Sequence, residues 1–232
     1  LKILGHQKLF AFNYVFISSR YVDTELMIKK ILSICAFFLT LSLTAQSQLI
    51  VYDVVKGSKK IGNVTLEISN ENEQVKYHIT SLVKFKILFS FAIKYQMEEK
   101  FYDGKLTWGK AHNTLNGRIQ KESEIYLNDH GNYIVKIDDV ASTTNEKEIT
   151  YSISKLYTDE PVGKTAVFSQ SFGRYLPLTK TGDHTYELES PDGTNYYTYE
   201  NGICKEVKVS RDFATFYFRI QPDSMTRVLE TK

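Results

Sequence analysis

Histidine and cysteine side chains are the first groups in this chain that could hold a metal ion. Beyond residue 45 the histidines are His78, His112, His130 and His184. No two of them are two or four residues apart, and the sequence contains no His-Glu-x-x-His motif and no cysteine cluster, which are the spacings that zinc sites use. The sequence therefore predicts no metal site.

Two carboxylate arrangements are the next candidates for chemistry. Asp183-His184 could be half of a charge-relay pair, but no Gly-x-Ser-x-Gly elbow accompanies it. Glu98 and Glu99 are adjacent on a predicted strand, so their side chains point to opposite faces and cannot act on one bond. An inward-facing Glu99 would need a hydrogen-bond partner, and the pattern places it instead at the rim of the sheet. We predict no catalytic residue, since a hydrolase would require His184 or Glu160 to meet other polar groups in a pocket.

The glycines near residue 60 do not form a phosphate-binding loop. Gly57 and Gly62 enclose a turn, but Asn63-Val64 follow where the Walker pattern needs Lys and then Ser or Thr. We predict a hairpin at this position and no cofactor.

Residues 27–45 have the composition of a secretory signal peptide. Lys29 and Lys30 precede an apolar run over residues 31–43, and small and polar residues follow the run. The run is shorter than the ~20 residues that a membrane-spanning helix needs. The leader therefore predicts export.

The leader also sets the expected domain boundaries. We predict that residues 1–26 are an extension translated upstream of the true start, and that cleavage after Ala45 or Ser47 releases a single β-rich domain over residues 46–232. That domain would lie in the periplasm or the outer envelope, and its contact with a membrane would end with the cleaved signal peptide.

Removal of the leader changes both the cysteine count and the charge. Cys204 alone remains, so no disulfide is expected, and a lone thiol on a strand is typically a small buried hydrophobe. Five of the 29 Lys and Arg residues and two of the 27 Asp and Glu residues precede Gln46, which leaves 24 basic and 25 acidic residues. Such a near-neutral surface excludes nucleic acid as the expected partner.

Residues 75–101 carry the strongest strand signal. Twelve of the fourteen alternate positions, counted from the first residue, are apolar or aromatic. A single strand of this length would greatly exceed the usual ~17–20 Å, so we predict strands near 75–84 and 91–102 with a corner at 85–90. Helical spacing over residues 82–93 leaves a short helix open as an alternative.

Aromatic residues are abundant in the predicted mature chain. Two of the 16 tyrosines and five of the 14 phenylalanines precede Gln46, which leaves 14 and nine. Packing of aromatic pairs within a sheet is one explanation, and a cavity for an apolar, lipid-like ligand is the other. The residues predicted to contact such a ligand are Phe85, Phe89, Phe91, Tyr95 and Met97.

The rest of the chain alternates between strand-like runs and turns. Asp103-Gly104, Asn116-Gly117 and Asn201-Gly202 are tight-turn signals between alternating segments. Residues 138–147 are predicted to be a loop, and residues 149–157 fit a strand or a short helix. Because strands follow one another every ~8–12 residues without intervening helices, we predict an all-β, single-domain antiparallel meander with minor α content, curled into a barrel or a strongly curved half-barrel.

Short segments spread over residues 49–220 carry a resemblance to a known family. They are Val51-Tyr52-Asp53-Val54, Lys59-Lys60-Ile61-Gly62, Glu98-Glu99-Lys100-Phe101-Tyr102-Asp103-Gly104, Asn116-Gly117, Leu156-Tyr157, Glu160-Pro161, Tyr186-Glu187-Leu188, Pro191-Asp192-Gly193, Asn195-Tyr196-Tyr197 and Asn201-Gly202. The chain resembles uncharacterised exported β-rich proteins of Bacteroidota, a domain-of-unknown-function family. The resemblance implies an exported β-domain without a known activity. A more distant topological likeness is to the half-barrels of periplasmic lipid and lipoprotein carriers.

Three functions follow from these observations. The leading hypothesis is a non-enzymatic exported domain that binds an apolar ligand in a concave aromatic face. The alternative is a structural or protein-interaction module of the cell envelope, which would expose Tyr196, Tyr197 and Tyr199 together. The third is a hydrolase-type enzyme. The sequence leaves the oligomeric state open.

Overall fold

The computed structural model describes residues 46–86, 89–212 and 214–230. The predicted upstream extension and signal peptide lie outside the described residues. The described part is built almost entirely from β-strands, with one short 3₁₀ helix and one short α-helix.

The strands follow one another along the chain with short connections. They are β1 (Gln46–Lys56), β2 (Lys59–Glu71), β3 (Gln74–Lys86), β4 (Ser90–Tyr102), β5 (Lys105–Leu115), β6 (Arg118–Leu127), β7 (Tyr133–Ile137), β8 (Val140–Thr143), β9 (Ala166–Ser169), β10 (Arg174–Gly182), β11 (Thr185–Ser190), β12 (Gly193–Glu200), β13 (Ile203–Arg211) and β14 (Ala214–Ile220). The 3₁₀ helix is Lys155–Tyr157, and the α-helix α1 is Pro222–Glu230.

These strands form one antiparallel sheet in the order β8-β7-β6-β5-β4-β3-β2-β1-β14-β13-β12-β11-β10-β9. The first and last strands pair in the middle of the sheet, and the two edges, β8 and β9, are consecutive in sequence. Within the described residues no strand pairing joins β8 to β9, so the sheet is not closed. The predicted all-β antiparallel meander with a strongly curved sheet is confirmed.

The tight turns explain why the chain folds back where it does. Asp103, Asn116 and Asn201 adopt φ angles of 47°, 48° and 51°, and a glycine with positive φ follows each of them. Two consecutive left-handed residues form the two-residue hairpin turn that matches the twist of the flanking strands, and Asn or Asp followed by Gly tolerates it best. All three predicted turns are confirmed.

The turns also define two ends of the sheet. The upper end carries the β1–β2 and β5–β6 turns, at Gly57-Ser58 and Asn116-Gly117, and the lower end carries Asp103-Gly104 and Asn201-Gly202.

The inner face is apolar and forms the core. A main cluster includes Tyr52, Leu66 and Val207, and a second cluster surrounds Phe101 and Phe168.

The connection between β8 and β9, residues 144–165, crosses the inner face at the lower end, and we call it the crossing segment. The Leu106 amide donates to the Ile149 carbonyl (2.8 Å), and the Tyr199 hydroxyl donates to the Leu156 carbonyl (2.7 Å). Ile149, Leu156 and Tyr157 are buried there. The crossing segment therefore fills the lower part of the interior.

Several sequence-based expectations need correction. The helix left open over residues 82–93 is wrong, because β3 and β4 occupy this region and pair from end to end. The loop predicted at 138–147 contains β8, whose residues are all exposed and thus give no alternating signal. Residues 149–157 contain the 3₁₀ helix and one parallel bridge between Ser152 and Phe168. The sequence did not predict β9, β10 or α1.

Candidate functional site

An aromatic surface lines the inner face at the upper end of the sheet. The ring centroids of Phe85 and Phe91 are 5.3 Å apart and nearly parallel, at 22°, and Phe216 from β14 lies 5.3 Å from Phe85. Phe85 and Phe216 are buried, whereas Phe91, Ile93 and Phe218 pack on the core while staying partly accessible. We call these five residues the upper mouth.

The five residues predicted to contact a ligand do not share one surface. Phe85 and Phe91 stack in the upper mouth, and Met97 lies buried in the core below them. Tyr95 is partly buried, and its hydroxyl donates to the Met97 sulfur (3.3 Å). Phe89 is separate from the others, because it follows the end of β3 at the hairpin tip with 74% of its surface exposed.

Polar side chains lie on the inner face just below the upper mouth. The register places Asn113 beside Tyr95, and Ala111 beside both Met97 and Ser123. The Tyr95 hydroxyl is 3.2 Å from the hydroxyl of Ser171, in the connection between β9 and β10. Burial raises the pKa of Tyr95 to about 12, so this phenol stays a neutral hydrogen-bonding group.

Besides Glu99, four polar residues present buried atoms that have no hydrogen-bond partner among the described residues. They are Asn113 (Oδ1), Ser123 (Oγ), Ser169 (Oγ) and Gln170 (Oε1 and Nε2). We call them the polar floor. Gly109 makes room for the Gln170 amide, because a Cβ atom at Gly109 would lie 2.5 Å from Gln170 Oε1. Buried groups of this kind are rare in folded proteins and require an explanation.

Glu99 lies one inward position below Met97 and is fully buried. Its Oε2 accepts a hydrogen bond from Ser152 (2.5 Å) and a second from Ser154, both in the crossing segment. Burial raises the pKa of Glu99, and the two hydroxyl groups oppose that shift. The expectation that Glu99 lies at the rim is wrong, since the crossing segment covers it and supplies its partners.

A second polar contact joins the end of the crossing segment to the β10–β11 turn. His184 Nδ1 lies 3.0 Å from Glu160 Oε2, and the Tyr186 hydroxyl donates to Glu160 Oε1 (2.9 Å). His184, Glu160 and Tyr186 thus form part of the polar cluster that the hydrolase hypothesis requires. The imidazole is mostly exposed, however, and these three residues line neither of the grooves described next.

Grooves cross the outer face of the described strands. One of about 480 Å³ lies across β1–β4 and includes Leu49 and His78, and another of about 270 Å³ lies across β4–β6. Side chains along them lie close together across the strands, as do His78 and Glu67 (3.7 Å), and Lys110 forms an ion pair with Glu122 (2.7 Å). Cross-strand pairs of opposite charge stabilise a solvated sheet face, which accounts for these grooves without a ligand.

Two further expectations from the sequence concern the tyrosine patch and Cys204. Tyr197 and Tyr199 are buried, so the tyrosine patch that the interaction-module hypothesis required is not exposed. Cys204 is buried, and burial raises the pKa of its thiol.

No three His, Cys, Asp or Glu residues in the described ranges are placed to hold a metal ion. Among the helices of the described part, none is long and apolar enough to cross a membrane.

The polar floor was missed by sequence reasoning, although part of its signal is present. Asn113 and Ser123 occupy inward positions of alternating strands, where an apolar residue is expected. Ser169 and Gln170 lie in and after β9, in a stretch for which the sequence predicted no element. Their position under the upper mouth depends on the curvature of the whole sheet.

A family model described as a domain of unknown function, DUF6134, matches residues 52–221. The chain belongs to the DUF6134 family. The expected membership of a β-rich family of unknown function is thereby confirmed, and the family description names no enzymatic activity. The expected source in Bacteroidota and the likeness to lipid carriers stay predictions.

No curated protein matches the DUF6134 domain. A similar solved structure is the crystal structure of a β-barrel-like protein of the domain of unknown function DUF1849 from Brucella abortus. The two chains are 13% identical, the match covers 76% of this chain and 96% of the other, and the TM-score is 0.46.

Proposed function

We propose that the DUF6134 domain is a non-enzymatic binding protein for a single-chain amphipathic ligand, whose apolar chain lies in the upper mouth. One observation carries the proposal. The crossing segment fills the lower interior, whereas Phe91, Ile93 and Phe218 at the upper end face inward and remain partly accessible. Inward-facing aromatic and aliphatic groups that remain accessible are typical of apolar ligand sites.

The polar floor supports an amphipathic ligand over a purely apolar one. A small head group that reaches Asn113 or Gln170 would meet hydrogen-bonding atoms that have no partner within the described residues. Each of these side chains is an uncharged amide, and a hydroxyl group can both donate to an amide oxygen and accept from an amide nitrogen. We therefore propose an uncharged head group such as an alcohol.

We also propose that the domain is exported, on the strength of the signal-peptide pattern over residues 27–45. An exported carrier of apolar molecules would act in the periplasm or the outer envelope, where lipid-like molecules must cross water between membranes. The interaction-module alternative is less favoured, because two of its three tyrosines are buried.

The proposal can be tested by titration with N-phenyl-1-naphthylamine, an uncharged apolar dye that fluoresces in apolar surroundings. The wild-type domain should bind the dye saturably, and dodecan-1-ol should displace it. Ile93→Asp should abolish binding because a carboxylate is placed in the upper mouth. Leu49→Asp is the matched control, since Leu49 is 45% exposed on the outer face at the other end of the sheet.

Circular dichroism and urea denaturation would establish that both variants fold. Equal dye binding by the wild-type domain and both variants would contradict the proposed site. Absence of saturable binding by the wild-type domain would contradict the proposed function itself.

A further inference from the structure

Two neighbouring hairpins at the upper end carry basic residues and no acidic ones. Residues 82–94, which span the β3–β4 tip, and residues 114–120, which span the β5–β6 tip, contain three lysines and one arginine and neither Asp nor Glu. The predicted mature chain is close to neutral overall. Positive charge is therefore concentrated at this edge, which we call the basic rim.

Backbone and side-chain hydrogen bonds join the two tips to each other. The Asn116 amide donates to the Ala92 carbonyl (2.8 Å), and the Ala92 amide donates to Asn116 Oδ1 (2.8 Å). Asn116 Nδ2 also donates to the Ser90 carbonyl (3.4 Å). The basic rim is thus a continuous edge formed by both hairpins.

Three large apolar side chains are exposed on this edge. The register places Leu82, Lys94, Thr114 and Ile119 in one row across the outer face of β3–β6. Leu82 is 44% exposed, Ile119 is 64% exposed, and Phe89 at the tip above them is 74% exposed. Leu82 and Ile119 lie at the two ends of this row with Lys94 between them, so large apolar and basic groups share one edge, as in surfaces that bind a partner.

The charges of the basic rim are available to a partner. Within the described ranges, Lys84, Lys86 and Lys94 form no ion pair with an acidic side chain, unlike Lys60 on the next hairpin, which pairs with Asp53 (2.6 Å). All three are exposed and lie on strand ends beside Leu82 and Phe89. Their ammonium groups are therefore available to bind an external anion.

We propose that the basic rim docks the domain on the surface of an anionic lipid membrane. Apolar groups at hairpin tips enter the boundary between head groups and acyl chains, and neighbouring lysines bind the acidic head groups. A nucleic acid would be recognised by a basic groove with stacking aromatic faces, and the rim offers one isolated phenylalanine instead. The sequence alone limited membrane contact to the signal peptide, and the register of the strands adds this face.

Docking at this edge goes beyond the proposed ligand site. It uses outward and tip side chains of these hairpins, such as Lys84, Lys86 and Phe89, whereas the upper mouth uses inward ones. The upper mouth opens at the same end of the sheet as the basic rim. A domain seated on the membrane by its rim would therefore hold its mouth towards the lipid.

The proposal is tested by sedimentation of the domain with vesicles. Vesicles of phosphatidylcholine mixed with phosphatidylglycerol should bind it, and vesicles of phosphatidylcholine alone should not. Lys84→Gln/Lys86→Gln should weaken binding about 25-fold, since each basic residue near an anionic surface contributes about fivefold. Phe89→Ser should weaken it about tenfold through lost apolar burial, and added salt should weaken it further.

The matched controls lie at the lower end. Lys147→Gln/Lys180→Gln removes the same charge from two exposed lysines, and Val162→Ser removes an apolar side chain that is 73% exposed. Both should bind vesicles like the wild-type domain. Equal loss in rim and control variants, equal binding to both kinds of vesicle, or equally strong binding to a single-stranded oligonucleotide would overturn the proposal.

Discussion

Replacing Glu99 with glutamine is expected to remove a pH-dependent component from the free energy of unfolding. The carboxyl group is fully buried and accepts hydrogen bonds from Ser152 and Ser154, while its Oε1 has no partner among the described residues. Burial is the largest influence on its pKa and raises it. The folded domain therefore binds the Glu99 proton more tightly than the unfolded chain does.

The sign of the effect follows from this proton affinity. Below the unfolded pKa, about 4.3 for glutamate, the proton is bound in both states and the contribution of Glu99 to stability is fully present. As the pH rises through the window between the unfolded and the raised folded pKa, that contribution is lost, at no more than about 1.4 kcal/mol per pH unit. Each unit by which folding raises the pKa of Glu99 thus lowers the free energy of unfolding at neutral pH by about 1.4 kcal/mol.

Glutamine preserves the shape of the side chain without the titration. Its oxygen can accept the two serine hydrogen bonds, and its buried amide group would lack a partner much as Oε1 of Glu99 does. Such an unpartnered group costs about 1–3 kcal/mol in either protein, so the two proteins should differ by less than about 1 kcal/mol at low pH. Near neutral pH, Glu99→Gln should be more stable than the wild type.

The assay is urea denaturation of both proteins between about pH 4 and pH 8, with the difference in unfolding free energy taken at each pH. Other titrating groups affect both proteins equally and cancel in that difference. Glu98→Gln is the matched control, because Glu98 is the exposed neighbour on the outer face and its replacement should change stability by less than about 0.5 kcal/mol. A difference for Glu99→Gln that is constant with pH, or that favours the wild type as the pH rises, would refute the reasoning.

Three further predictions concern the contacts that hold the crossing segment and the core. Tyr52→Phe should destabilise the domain by about 1–2 kcal/mol, because the Tyr52 hydroxyl donates to the buried Cys204 carbonyl at 2.8 Å; an unchanged urea midpoint would show that this bond adds nothing. Leu156→Ala should cost about 2–5 kcal/mol, since Leu156 is completely buried under the sheet; a loss below 1 kcal/mol would mean that the crossing segment is loosely packed. The Cys204 thiol should react with a disulfide reagent in urea but not in buffer, because burial raises its pKa and excludes the reagent; rapid reaction of the folded domain would contradict its burial.

Local sequence was sufficient to predict most of the sheet. Asn116-Gly117 and Asn201-Gly202 specify hairpins because both residues of each turn adopt the left-handed conformation that a two-residue hairpin turn requires. The alternation over residues 75–101 predicted two paired strands, since side chains in a strand alternate between core and solvent. The corner predicted at residues 85–90 lies at the observed tip, with β3 extending two residues further than expected.

Contacts between distant parts of the chain could not be predicted in the same way. Glu99 accepts hydrogen bonds from Ser152 and Ser154, which are more than fifty residues away. The sequence around Glu99 contains no signal that predicts the crossing segment. The short strand β9 is nearly all buried and gives no alternating signal. For the candidate site, the alternation placed Phe85 and Phe91 on one stripe of residues 75–101, but Gln170 joins the polar floor only through the curvature of the sheet.

The central claim is that an amphipathic ligand binds in the upper mouth, and methyl NMR tests it most directly. A domain labelled at its isoleucine δ1 methyl groups would be titrated with dodecan-1-ol, and the chemical shifts of Ile93, Ile119 and Ile149 compared. Ile93 lies in the upper mouth, Ile119 on the outer face and Ile149 under the lower end of the sheet. We predict a saturable shift at Ile93 with Ile119 and Ile149 unchanged. An unmoved Ile93 signal, or shifts confined to Ile119, would contradict the account.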